Sequence, residues 1–247
     1  MLSEFAITSW SAYAPGLPSP EKWQAWAAQA SPPAGNEQPE LAELPARLRR
    51  RLSLLGRMAV QVSYWCQNVP ASIPIVMVSR YGDAERSIAL LHDLAQAIPI
   101  SPTSFGLSVH NAIAAQYSIA RVDRSNYISL AAGTAGAAAA VVEASGLLHD
   151  GADQVLVVCY DAPLPGDYAA FSDRNSCSYA WAWQISLPAR KKGLHFTLSA
   201  EKAVNTCETP DLEHLPFDLD VMRFVLSKDA SLRRSTQGCN WTWHRHV

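Results

Sequence analysis

The sequence is poor in charge. Only 17% of its 247 residues are Asp, Glu, Lys or Arg, against about 25% in an average soluble domain. Neither sign dominates: the formal net charge is −2, which argues against a nucleic-acid polyanion as the main partner. A surface with so little charge is a first pointer to a protein partner that covers part of it. With 49% hydrophobic residues the chain can bury a large core, so global disorder is excluded.

Paired cysteines are also lacking. Cys66, Cys159, Cys177, Cys207 and Cys239 are scattered and odd in number, and no CxxC occurs. That pattern suggests neither a disulfide framework nor a zinc site, but free thiols in or near the core. Long apolar runs are absent too. The stretch Leu130 to Val142 is interrupted by Gly133, Thr134 and Gly136, short of the roughly 20 residues of a membrane span. The N-terminus lacks the basic-then-apolar order of a signal peptide. The expectation is a cytoplasmic protein with no membrane span, no metal and no cofactor.

What the sequence does carry is a regular alternation. Phe5 to Trp10 reads as a strand, and Glu21 to Ala30 as a helix with Trp23 and Trp26 on one face. Ser31 to Glu40, rich in proline, is a surface loop. Leu44 to Trp65 predicts one long helix, with Leu48, Leu52, Leu55 and Ala59 in step. Its run Arg47, Arg49, Arg50, Arg51 reads as a solvated face or a phosphate-binding one. Ile73 to Ser79 is a buried strand, Glu85 to Ala97 an amphipathic helix, and Pro99 and Pro102 mark a loop. Ser108 to Ile119 predicts a helix, Tyr127 to Ala131 a strand, Gly133 to Leu148 an Ala-rich helix and Gln154 to Tyr160 a strand. Such alternation implies an α/β fold with a mainly parallel mixed sheet covered by helices on both faces. Tyr179 to Leu187 and Leu194 to Ala200 read as two antiparallel strands joined through Pro188 to Gly193. The whole chain, 1–247, reads as one domain with an irregular tail, 209–247, in which Leu219 to Leu226 is a helix candidate. His244 and His246 fall in that tail, read as mobile, with an i, i+2 metal pair as the lesser alternative.

The most informative stretch is the strand ending at Ala131, then Ala132-Gly133-Thr134-Ala135-Gly136, then a helix. A sharp strand-to-helix turn presents one residue to the helix N-terminus, where backbone N–H groups stabilise a thiolate or oxyanion. Enzymes put Cys or Ser there. Here the residue is Gly133, which tolerates the turn but has nothing to attack with. Thr134 is the nearest hydroxyl, and no base is evident beside it.

Together with Ser108-Val109-His110-Asn111 and Gly151-Ala152-Asp153-Gln154-Val155-Leu156-Val157-Val158, this stretch resembles the N-terminal half of a β-ketoacyl synthase of the thiolase fold. In that family the turn reads Thr-Ala-Cys-x-Ser-Gly, and Gly133 stands in the Cys place. Ser79-Arg80-Tyr81-Gly82, Leu90-Leu91 and Ser101-Pro102-Thr103-Ser104-Phe105 are similar to the short synthase-like proteins of aryl polyene pathways. The chain is too short for the family's second half, which supplies two active-site histidines. The resemblance implies an incomplete thiolase-like fold and a non-catalytic, chain-length-factor-like subunit. Its partner would be a full-length ketosynthase, paired through Tyr127 to Ala131, with acyl carrier protein met indirectly. It implies an interface and acyl tunnel built from Phe105, His110, Asn111, Ala114, Tyr117, Tyr127, Ser129, Gly133 and Thr134. Two alternatives stay open: an acyl-transferring or malonyl-decarboxylating enzyme using Thr134, Ser129, Cys159 or Cys177, and an α/β protein unrelated to ketosynthases.

Overall fold

A computed structural model describes residues 2–69, 71–172, 175–190, 192–203, 215–236 and 238–246. Cys207 and His214 lie outside the described residues. The elements are β1 (Leu2–Tyr13), α1 (Pro20–Ala28), α2 (Ala46–Arg49), α3 (Leu54–Cys66), β2 (Ile75–Val78), α4 (Ala84–Ala95), α5 (Pro102–Gly106), α6 (Ala112–Arg121), β3 (Tyr127–Leu130), α7 (Gly136–His149), β4 (Val155–Asp161), β5 (Tyr179–Ser186), β6 (Leu194–Lys202), α8 (Phe217–Leu226), β7 (Ser231–Thr236) and β8 (Cys239–His246). The strands form one eight-stranded sheet in the order β3-β2-β4-β5-β1-β6-β8-β7.

The sheet is mixed, as expected, but not mainly parallel. Only β2–β3 and β2–β4 pair in parallel, and the other five pairings are antiparallel. The expected hairpin of β5 and β6 does not form. Both strands pair antiparallel with β1, which lies between them, so they run parallel to each other. Gly193 makes the crossing possible: a Cβ there would strike the Ile7 carbonyl of β1.

Helices cover both faces. On one face α7, α8 and α1 enclose Val76, Val155, Val157 and Trp183. On the other, α3 and α6 pack on Ile75, Met77, Leu156 and Val158. In α1, Ser19 caps the first turn and Pro20 opens it, as such positions favour. Trp23 and Trp26 meet edge to face at 5.0 Å, each indole N–H donating to a loop carbonyl, Leu17 at 2.9 Å and Ser31 at 2.7 Å.

Three boundaries differ from the sequence pattern. The long helix expected over Leu44 to Trp65 is two, because the Ser53 hydroxyl accepts the Gly56 N–H at 3.3 Å and starts α3 afresh. The loop at Pro102 is the short helix α5, capped by Ser101. The tail expected to be irregular folds, from Phe217 to His246, into α8 and the β7–β8 pair. His244 and His246 are in β8, where His246 bonds the Thr197 hydroxyl. No group of three metal-ligating side chains occurs among the described residues, and no described helix is long and apolar enough to cross a membrane.

Candidate functional site

The carboxyl ends of β2, β3 and β4 meet at the strand-to-helix turn, the place where parallel strands offer a site. Gly133 has φ +59°, a left-handed conformation that glycine adopts without strain. The carboxyl end of β3 is pinned by His110, whose Nε2–H donates to the Leu130 carbonyl at 2.8 Å. Gly82 makes room for that imidazole, since a Cβ there would lie 2.5 Å from Nδ1. Beside them Asp161, at the end of β4, accepts the Ala162 N–H at 3.1 Å and faces the Ser79 hydroxyl at 3.5 Å. Burial pushes its carboxyl up to about 6.

The N-terminus of α7 is already occupied. Asp218, from α8, accepts the Ala137 N–H at 2.7 Å through Oδ1, and the Tyr179 hydroxyl faces its Oδ2 at 3.4 Å. The backbone carbonyl of Asp218 takes the Trp181 indole N–H at 3.1 Å. Gly136 is small because its Cβ would lie 2.5 Å from Oδ2. Burial pushes the Asp218 carboxyl up to about 7, against the pull of the Ala137 N–H, and the Asp161 charge adds to the rise. An internal carboxyl group thus stands at the positive end of the helix that would otherwise stabilise a thiolate or oxyanion. No side-chain pattern announced it: a Pro216 followed by Asp218 and Asp220 signals a helix start, not which distant helix it meets.

The chain matches the family model "β-ketoacyl synthase, N-terminal domain" over residues 23–244. It belongs to the β-ketoacyl synthase family. Among solved structures it is similar to a chain in the Xenorhabdus doucetiae complex of the ketosynthase ApeO with its chain length factor ApeC. Identity is 30%, the alignment covers 98% of this chain and 99% of that one, and the TM-score is 0.83. The ishigamide ketosynthase/chain length factor shares the fold at 14% identity, with 82% and 68% covered and a TM-score of 0.60. A complex of a type II polyketide acyl-carrier protein with its ketosynthase, AntDE:AntF, does so at 12% identity, with 98% and 99% covered and a TM-score of 0.70. No curated protein matches the chain.

Seen as a ketosynthase-family turn, the site lacks an activated nucleophile among its described residues. Thr134 makes no side-chain hydrogen bond, and His110 is committed to Leu130. Burial raises the Cys159 thiol far above its ordinary value and pushes the Cys177 thiol up to about 12. Both therefore stay protonated at neutral pH, the opposite of what a nucleophilic cysteine needs. The Ser129 hydroxyl is buried with no partner.

The other expected tunnel residues do not gather around one opening. Ala114 and Tyr117 are fully buried between α6 and α3. The Tyr117 hydroxyl donates to Gln67 Oε1 at 2.8 Å, and its ring meets Tyr64 edge to face at 5.2 Å. Tyr127 is half-buried, and Asn111 starts α6 from an exposed position. Phe105 is 62% exposed on α5. A shallow apolar groove of about 470 Å³ opens instead beside α7. Leu130, Ala131 and Ala132 form one wall, Ala139, Val142 and Glu143 another, and Ala200 and Trp241 close it.

Gly133→Cys tests the helix end directly. The variant restores the family's residue at a positive-φ position, a strain of about 1 kcal/mol or more, next to a helix terminus already facing a carboxyl group. Its new thiol is expected to alkylate with iodoacetamide at pH 7 no faster than a cysteine peptide. Alkylation tenfold faster would show the helix end to be free for an anion.

Proposed function

We propose that the chain is a chain-length-factor-like subunit, non-catalytic by itself, that pairs with a β-ketoacyl synthase in the cytoplasm. The pair elongates carrier-bound chains of the aryl polyene type. One observation carries this reading: the sheet ends at β3, whose outer edge has no neighbour strand among the described residues. Next to it the α4–α5–α6 crossover, which joins β2 to β3, exposes Leu91, Leu94, Ile98, Phe105, Val109, Ile119 and Val122. A bare sheet edge flanked by apolar side chains invites another chain. The family, the likeness to a chain in a ketosynthase–chain length factor complex and the glycine in the nucleophile's place support the same partner. Acyl carrier protein, bound to the ketosynthase in the AntDE:AntF complex, meets such a pair.

Co-expression with a ketosynthase tests the reading. A stable heterodimer that buries more than about 2,000 Å² is expected, with elongation activity in the pair and none in this chain alone. A ketosynthase that is monodisperse and fully active without the chain would overturn it.

Phe105 is the side chain that this reading assigns to reach across. Its exposure on the apolar crossover fits a ring that caps the partner's acyl pocket, whereas Ala114 and Tyr117 have no room for a chain beside them. Phe105→Ala is expected to lengthen the product by one elongation cycle, since each methylene accommodated is worth about 0.8 kcal/mol. Mass spectrometry of the products reads the shift, and an unchanged distribution from an intact heterodimer would remove Phe105 from this role.

A further inference from the structure

The carbonyl of Leu130, the last residue of β3, accepts two hydrogen bonds. One comes from the Ser79 N–H at 3.2 Å and continues the pairing with β2. The other comes from the His110 imidazole at 2.8 Å, 20 residues away in the chain. Both lone pairs of that oxygen are therefore used. The imidazole has a place prepared for it. Gly82 turns the chain after β2 at φ +62°, and its N–H is held by the Ser79 hydroxyl at 2.9 Å. The missing Cβ of Gly82 leaves the space that the Nδ1 side of the ring fills. Three segments thus meet at His110: the turn after β2, the turn before α6 and the end of β3.

What the bond joins is otherwise lightly held. α5 buries none of its residues, and every residue of β3 is half-buried. Consecutive hydrogen-bonded turns couple Phe105 of α5 to His110. The Ser108 N–H and hydroxyl both donate to the Phe105 carbonyl, at 3.1 and 2.8 Å, and the Ala112 N–H donates to the Val109 carbonyl at 3.0 Å. Asn111 gives α6 no side-chain cap. Among the described residues, the bond from His110 to Leu130 is the only side-chain hydrogen bond between residues 101–111 and β3. Segments with few buried contacts open on their own unless something ties them down.

We infer that His110 is a positioning residue of the pairing surface: its imidazole fixes α5, and with it Phe105, against the end of β3. A ketosynthase then meets the open strand edge and the apolar ring as one preformed surface. The inference rests on the pairing proposed above and adds the device that shapes it. His110 acts through Phe105 and the Leu130 carbonyl, not by touching the partner. A surface ordered in advance loses less conformational freedom on association. Simple packing is the competing account, and it makes a different forecast, because it needs the bulk of the ring and not its N–H.

Two substitutions separate the N–H from the space it fills. His110→Gln keeps a side-chain N–H donor, and His110→Met keeps bulk without one. Hydrogen exchange of the full chain alone is read by mass spectrometry over residues 101–111 and 127–133, with β4 as the internal reference. In His110→Met both segments are expected to exchange about fivefold faster or more while β4 is unchanged, and His110→Gln is expected to regain most of the protection. In the heterodimer, His110→Met is expected to shift the products toward those of Phe105→Ala. It should add nothing in the Phe105→Ala background, because it acts through that ring. Exchange within twofold of the native chain, equal behaviour of the Gln and Met variants, or additive shifts in the double variant would overturn the proposal. Loss of protection that includes β4 would make His110 a support of the core and overturn it too. Faster exchange with unshifted products from an intact heterodimer would remove the role of His110 and keep the pairing. A native chain that forms no heterodimer would remove the pairing and this surface with it.

Discussion

Ser129→Pro is expected to release the chain from its ketosynthase while its own fold stands. Backbone groups of a strand alternate in direction, and β3 shows which of them β2 uses. Ile75 N–H donates to the Asn126 carbonyl at 2.9 Å and Ser79 N–H to the Leu130 carbonyl at 3.2 Å. The even-numbered residues thus face β2, and Tyr127, Ser129 and Ala131 present their N–H and C=O groups to the open edge. A proline at 129 removes an outward donor and none of the β2 ladder, which is the one kind of strand position that accepts proline. In a shared sheet it also pushes its ring at the incoming strand. Each ladder bond is worth about 1 kcal/mol net, and more when its partner is left buried and unpaired. Heterodimer affinity should therefore fall at least about tenfold, read by analytical ultracentrifugation or by pull-down of a tagged ketosynthase. Ser129→Ala, which deletes a buried hydroxyl that has no partner, is the control and should pair normally. A proline variant that folds and still pairs with native affinity would mean that β3 is not the joining strand, and the proposed function would lose its main support.

How far the sequence foretold this molecule depends on the range of the cause. Elements whose signals are local were legible: the buried run of β4, the capped tryptophan helix α1, the glycine turn before α7. Sheet order was not, because β1 reaches its place between β5 and β6 through pairings across most of the chain's length. The C-terminal strands were hidden by a charge on the inward face. Arg245 of β8 lies over the Phe196 and Phe224 rings at 4.9 and 5.4 Å, and donates to the carbonyls that end α8. An arginine at a core position breaks the apolar alternation by which strands are recognised. The candidate site divides in the same way. Gly133 could be read from the turn it makes. For α6 the sequence did not show which side chains turn to the core: of the residues expected along the tunnel, Ala114 and Tyr117 are buried and Asn111 is exposed.

Asp218 is the part of the site that only the folded chain reveals, and its titration gives the second large effect. An aspartate has an unfolded value near 3.8, and burial lifts this one to about 7 in the folded protein. Between those values the native state holds a proton that the unfolded state has lost, so stability falls as pH rises. The contribution is complete below pH 3.8 and is lost as pH rises through 7. Each pH unit of difference is worth about 1.4 kcal/mol, so the whole loss is bounded at about 4 kcal/mol. Asp161, lifted in the same direction to about 6, adds its own smaller decline. Asp218→Asn keeps an oxygen for the Ala137 N–H and a group for Tyr179 to meet, but it has no charge to desolvate. Its stability should match the native protein near pH 4 and exceed it by up to a few kcal/mol at pH 8, or roughly 4–12 °C in Tm for a chain of this size. The difference between the two curves is the informative quantity, because other acids titrate equally in both. Gly136→Ala provides a contrast: its methyl group meets Asp218 Oδ2 whatever the pH, for a constant loss of about 1–3 kcal/mol. If native and Asp218→Asn curves ran parallel, or the variant were the weaker at pH 8, the carboxylate would be a stabilising anion at the helix end. Combining Gly133→Cys with Asp218→Asn then ties this titration to the missing chemistry. With the internal acid neutralised, no anion competes with the new thiolate at the positive end of α7, and alkylation at pH 7 should become faster than in Gly133→Cys alone.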